Sequence, residues 1–265
     1  MELLLIAILT GCSYFMLSYQ QWRLLCGQTS LPRASRQVIL FFVLGFQAWL
    51  LYRGIDVDGG QNLSFLNVMS QLMWMIILIV AILSWLQPLE RLLLFIAPFA
   101  GIVVILAQWF PGEHIIQAAA DPKTLWHILL ALITFSVLSL AALIAVLLAV
   151  QEYLLRRDPT RRLLQQIPPL ESVEHSLFIV IWIGFILLTI VLISSIVVFH
   201  HAFNPDLIQK LVLTVLAWVT FAGLLMGRYL FGWRGRTAIR GTLIGVGLLM
   251  LLILLSSLGI AWISH

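Results

Sequence analysis

The chain reads as an all-α, polytopic integral membrane protein with eight transmembrane helices, its N-terminus and C-terminus both on the outer, periplasmic side. Three observations predict this class. Hydrophobic residues fill 62% of the 265 positions and charged residues 10%, where soluble domains hold about 45–50% and about 25%. Apolar runs long enough to cross a bilayer recur along the whole chain, so residues 1–265 are expected to form one helical domain with no soluble domain beside it. The basic residues also gather on alternate connections.

The spans expected from the apolar runs are 3–19, 38–52, 66–86, 92–110, 125–150, 177–199, 211–230 and 243–263. The first follows Glu2 rather than a basic segment, and no small-residue cleavage site comes after it, so it is expected as a retained helix. With the N-terminus outside, the cytoplasmic segments hold Arg23, Arg33, Arg36, Arg91, Arg156, Arg157, Arg161, Arg162, Arg228, Arg234, Arg236 and Arg240. These are twelve of the fifteen basic residues; Arg53, Lys123 and Lys210 fall outside. The positive-inside rule then sets the orientation. The net charge of +4 is accordingly a topology signal that favours a lipid bilayer as partner, not a footprint for nucleic acid.

Trp22, Trp85 and Trp233 mark the inner interface, and Trp49, Trp109, Trp126 and Trp262 the outer one, where an amphipathic indole is at home. Trp74, Trp182 and Trp218 fall deeper in their helices, either packed in the core or lining a cavity. The outer connection 53–65 is polar and Gly-bearing, with Asn62 or Ser64 placed to cap the next helix. In the second outer loop, 111–123, Asp121 is placed to cap the fifth helix. The longest inner connection, 151–175, carries four arginines and Pro168-Pro169 and is expected to include an interfacial helical piece.

Chemistry inside the membrane is sparse. Charged residues are nearly absent from the spans, which argues against proton relays, ion sites, paired catalytic carboxylates and an ion-coupled transporter. There is no H-E-x-x-H, no Gly-rich phosphate loop and no C-x-x-C, and Cys12 and Cys26 suggest no redox pair, so no enzymatic activity is expected. The uncharged polar residues Gln47, Asn67, Ser70, Gln71, Gln108, Thr134, Ser136 and Ser139 are expected to hydrogen-bond between helices. Five of the six histidines, His114, His127, His200, His201 and His265, fall at or beyond the outer face, and only His175 lies within. His127, at the mouth of the fifth span beside Trp126, is either an interfacial residue or an axial ligand to haem iron.

Four segments carry a resemblance: Gly-Gln-Asn-Leu-Ser-Phe-Leu-Asn-Val-Met-Ser at 60–70, the helix opened by His127, Pro-Pro-Leu-Glu-Ser-Val-Glu-His at 168–175, and Gly-Trp-Arg-Gly-Arg at 232–236. With these, roughly residues 50–265 resemble the cytochrome c assembly family of haem-handling membrane proteins, in particular its small single-module branch called HemX-like or YpjD-like. The resemblance implies a helical bundle that holds haem b non-covalently near its outer face. It would serve delivery to apocytochrome c, haem trafficking or regulation, with other assembly proteins as partners. It carries His127 over as the histidine that ligates haem, with Trp126 beside it.

Two positions depart from the family pattern. The loop after the sixth span reads Phe199-His200-His201-Ala202-Phe203-Asn204-Pro205-Asp206, without the tryptophan-rich Trp-Trp-Asp type motif of full assembly proteins, and Arg228 stands where the family often has a histidine. His200 and His201 are either a second axial ligand or solvated loop residues. Gly232 to Arg236 reads as a tight turn with a cationic anchor for cytoplasmic headgroups. Two rival readings stay open: a scaffold or regulator that keeps the fold without the cofactor, and a transporter of a hydrophobic small molecule.

Overall fold

The computed structural model describes residues 2–29, 31–57, 60–62, 64–85, 89–112, 115–116, 122–157, 169–199 and 205–263. Among them are eight helices long and apolar enough to span a membrane. They are α1 (Glu2–Leu25), α2 (Arg33–Ile55), α3 (Phe65–Leu83), α4 (Leu93–Trp109), α5 (Pro122–Arg157), α6 (Leu170–Phe199), α7 (Pro205–Phe231) and α8 (Arg236–Ile263). Prolines stand at the mouths of four: Pro32 before α2, Pro122 opening α5, Pro169 before α6 and Pro205 opening α7. The fixed φ of proline suits a first turn, and its missing N–H is not needed there.

The second half of the chain forms longer helices than its apolar runs suggest. α5 has 36 residues, about 54 Å at 1.5 Å per residue, against a hydrocarbon core of about 30 Å. The interfacial piece expected within 151–175 is in part the continuation of α5 through Gln151–Arg157, because Gln-Glu-Tyr-Leu-Leu-Arg-Arg is rich in helix formers. α6 likewise begins at Leu170, and 158–168 lie outside the described residues. The proposed cap Asp121 also lies outside them.

The described residues group into two compact units that divide at Pro122. In the first, α1 packs on α2 and α4, and α3 packs on α2 and α4, so the four helices close a ring. α1 and α4 meet backbone to backbone where Gly11 faces Gly101; a Cβ on either residue would stand 3.0 Å from the other's carbonyl oxygen. α1 thus belongs to the core, with Tyr14 fully buried. The Tyr14 hydroxyl donates to Gln47 Oε1, and Gln47 Nε2 donates to the Ser70 carbonyl at 3.1 Å and to Ser70 Oγ at 3.3 Å. Three helices are thereby tied by one buried polar chain. Trp74 Nε1 adds a bond to the Leu44 carbonyl at 2.9 Å, so this deep indole is packed and satisfied.

The connections expected as plain loops hold a small antiparallel sheet. β1 (Asp56–Val57) pairs with β2 (Gly60–Asn62), which pairs with β3 (Ile115–Ile116). Strands of two or three residues leave no alternation to read in a sequence.

In the second unit, α7 packs on α6 and α8, and Leu138 of α5 lies against the backbone of α6 at Gly184. Ile144 and Leu148 of α5, Leu177 and Ile181 of α6 and Phe221 of α7 form its fully buried core. Trp218 is half-buried, stacked on Phe185 with centroids 5.3 Å apart, and its Nε1 donates to Thr189 Oγ1 at 2.9 Å. Trp182, by contrast, is exposed. Thr134 and Ser136 donate to the carbonyls of Leu130 and Leu132 in their own helix, so they do not join helices as expected from the sequence. A hydroxyl in hydrocarbon finds its own i−4 carbonyl most cheaply.

The Gly11–Gly101 approach predicts that Gly101→Leu lowers stability by about 1–3 kcal/mol through overpacking. Gly45→Leu on α2, where a Cβ meets nothing within 4 Å, should change it by less than about 0.5 kcal/mol. Unfolding in mixed dodecylmaltoside and sodium dodecylsulfate micelles measures both.

Candidate functional site

His127 lies in the second turn of α5, half-buried. Its Nδ1 is 2.8 Å from the hydroxyl of Ser194, near the C-terminal end of α6. That hydroxyl donates its one proton to the Val191 carbonyl at 2.9 Å. This is the arrangement of a metal-ligating imidazole, whose second nitrogen is held by a neighbouring hydrogen bond. Among the described residues no three histidine, cysteine or acidic side chains gather as a metal cluster.

Among the described residues, Trp126 and His175 do not join this pair. Trp126 is 72% exposed, since successive residues on a helix stand about 100° apart. His200 and His201 lie outside the described residues, as do His114 and His265. His175 is exposed in the first turns of α6, at the opposite end of that helix from Ser194. Sequence reading missed Ser194. The only signal was a Ser-Ser pair in an otherwise apolar helix, and its partner lies 67 residues away.

The other segments behind the resemblance have structural work to do. In the first unit, Asn62 Nδ2 donates to the Gly112 carbonyl at 2.8 Å and Asn67 Nδ2 to the carbonyls of Gly54 and Asn62 at 3.1 and 3.2 Å. Ser64 occupies the cap position of α3 without a side-chain cap bond, and Asn62 Oδ1 accepts the Ser64 N–H at 3.2 Å instead. Segment 60–70 therefore fastens the loops at one end of that unit.

In the second unit, the turn between α7 and α8 is built on two left-handed glycines, Gly232 at φ +66° and Gly235 at φ +54°. The Gly232 N–H closes α7 on the Arg228 carbonyl at 3.1 Å, a common helix ending. A Cβ on Gly235 would stand 2.8 Å from Glu152 Oε1. The turn sets Arg236 Nε 3.8 Å from Glu152 Oε2 on α5. Arg228, where the family often has histidine, bonds Glu174 of α6 at 2.9 Å and lies over the Phe178 ring, 3.6 Å from its centroid. Segments 169–175 and 228–236 thus meet at the arginine-bearing end of the unit.

A polytopic helical membrane protein with a hydroxyl-held histidine at one end of its longest span and an arginine-rich turn at the other is the class so defined. The family model described as cytochrome c assembly protein matches residues 34–262, and the chain belongs to that family, which supports a role in cytochrome c biogenesis. Inner membrane protein YpjD of Escherichia coli strain K12, and the YpjD proteins of the O6:H1 and O157:H7 strains, are each 37% identical over 196 residues, 74% of this chain and 74% of the relative. No solved structure is significantly similar. The chain is a multi-pass protein of the bacterial inner membrane.

The Arg228–Glu174 pair is partly exposed, so a double-mutant cycle of Arg228→Ala and Glu174→Ala should return a coupling of about 0.5–1 kcal/mol. Additive effects in the same micelle unfolding would mean that the two side chains act independently.

Proposed function

We propose that this protein binds haem b non-covalently through His127 and serves haem handling for cytochrome c assembly or haem trafficking. The observation that carries the reading is the contact of His127 Nδ1 with the Ser194 hydroxyl at 2.8 Å, a neighbouring hydrogen bond of the kind that orients metal-ligating imidazoles. Family membership supports it independently. When bound, the group would supply an iron porphyrin that can be passed on or sensed. The chain's own residues hold it in place: His127 as axial ligand, Ser194 as the residue that fixes ring orientation. His200 or His201 would serve as the second ligand, and apocytochrome c or another assembly protein as the partner. The arginine-bearing helix ends are proposed to face the cytoplasm, with both termini outside, by the bias of basic residues.

One observation favours a second reading, a scaffold or regulator without cofactor. Arg228 is committed to Glu174 and Phe178, so a position that is often histidine in the family serves packing here.

The visible spectrum of protein purified in mild detergent after growth with added haem separates the two. A Soret band that is lost in His127→Ala is the expected result. Ser194→Ala should weaken haem affinity about tenfold, as loss of a second hydrogen-bonded partner commonly does. Absence of a band in the unsubstituted protein even after haem titration would decide for the scaffold. Unchanged haem content in His127→Ala would remove that residue from the site. A periplasmic reporter fused to the N-terminus should be active; a cytoplasmic signal there would reverse the orientation.

A further inference from the structure

A cavity of about 200 Å³ opens between α5 and α8 at the arginine-bearing end of the second unit, where Arg156, Arg236 and Arg240 line it together with Glu152. Three guanidiniums against one carboxylate leave two positive charges in excess. The Glu152–Arg236 contact, at 3.8 Å, is too long for a hydrogen bond, so it does not consume the Arg236 donors. Arg156 and Arg240 make no ion pair among the described residues. Each guanidinium offers a planar fork of donors matched to phosphate oxygens. The remaining lining residues are Ala149, Tyr153 and Ile239, and most of the wall is apolar.

The size of the cavity narrows its occupant. It exceeds several times the roughly 30 Å³ share of one water, and it falls below the roughly 300–1,000 Å³ of pockets that enclose drug-sized ligands. A haem macrocycle does not fit, and a single phosphate group does. The position adds the rest: α5 and α8 both continue from this end as membrane spans, so an occupant whose phosphate meets the arginines can lay an acyl chain along Ala149 and Ile239.

We propose that this cavity is a binding site for the phosphate group of an anionic phospholipid, independent of the haem reading. The left-handed turn between α7 and α8 brings Arg236 to this site, and Gly235 leaves room there for the Glu152 carboxylate.

The test uses the full chain in dodecylmaltoside, titrated with phosphatidylglycerol, with phosphatidylcholine of the same acyl chains, and with inorganic phosphate, bound lipid being counted by mass spectrometry of the intact protein. One phosphatidylglycerol should bind in preference to phosphatidylcholine. Arg156→Gln/Arg240→Gln should weaken it about thirtyfold, the sum of two arginine–lipid attractions. Glu152→Gln should bind at least as tightly as the unsubstituted chain, because a competing carboxylate is gone; this keeps the test meaningful if the double variant folds poorly. Displacement of phosphatidylglycerol by millimolar inorganic phosphate would support the phosphate site and name free phosphate as its source. Equal binding of the two lipids, undiminished binding by the double variant, or weaker binding by Glu152→Gln would overturn the proposal.

Discussion

A polar atom in hydrocarbon has no water to turn to, so it must find its partner inside the protein. That constraint organises this molecule at every level. The backbone meets it by forming helices throughout the spans. The scarce polar side chains meet it by reaching across helix boundaries: Tyr14 to Gln47 to Ser70 in the first unit, Trp218 to Thr189 and His127 to Ser194 in the second. Lipid tails are as apolar as leucine, so apolar contacts alone give helices little reason to prefer one neighbour or one register. The polar pairs supply that preference, together with close backbone approaches such as Gly11 against Gly101.

The fold was legible in the sequence because hydropathy reports directly on the same constraint. All eight spans are found, and their misjudged ends share one cause. Hydropathy locates the hydrocarbon boundary, whereas a helix stops where its backbone is capped. α5 therefore runs on through Glu152 and Arg156, and α8 starts at Arg236, seven residues before the apolar run. The three short strands escaped because pairing between distant loops leaves no local pattern.

The site was legible by half. His127 could be singled out by its place at the mouth of a span, but the hydroxyl that its ring meets sits on another helix among aliphatic residues. Nothing in the one-dimensional string connects positions 127 and 194. The same holds at the other end, where Glu152, Glu174, Arg228 and Arg236 are spread over 85 positions and meet in two pairs only when four helices come together. The segments that carry the resemblance are joints: segment 60–70 fastens loops, and Gly232 to Arg236 makes the tight turn expected of it and positions a cation.

α5 links these two ends. Between Lys123 and Arg157 it contains neither proline nor glycine, the usual causes of a kink, and His127 and Glu152 stand 25 residues apart along it, roughly 37 Å at the α-helical rise. It therefore behaves as a lever with its load at one membrane surface and its handle at the other. A rotation of about 3° around its midpoint moves each end by about 1 Å, in opposite directions. The 2.8 Å contact between His127 and Ser194 tolerates little of such travel, so a tilt of α5 would be registered at both of its ends at once.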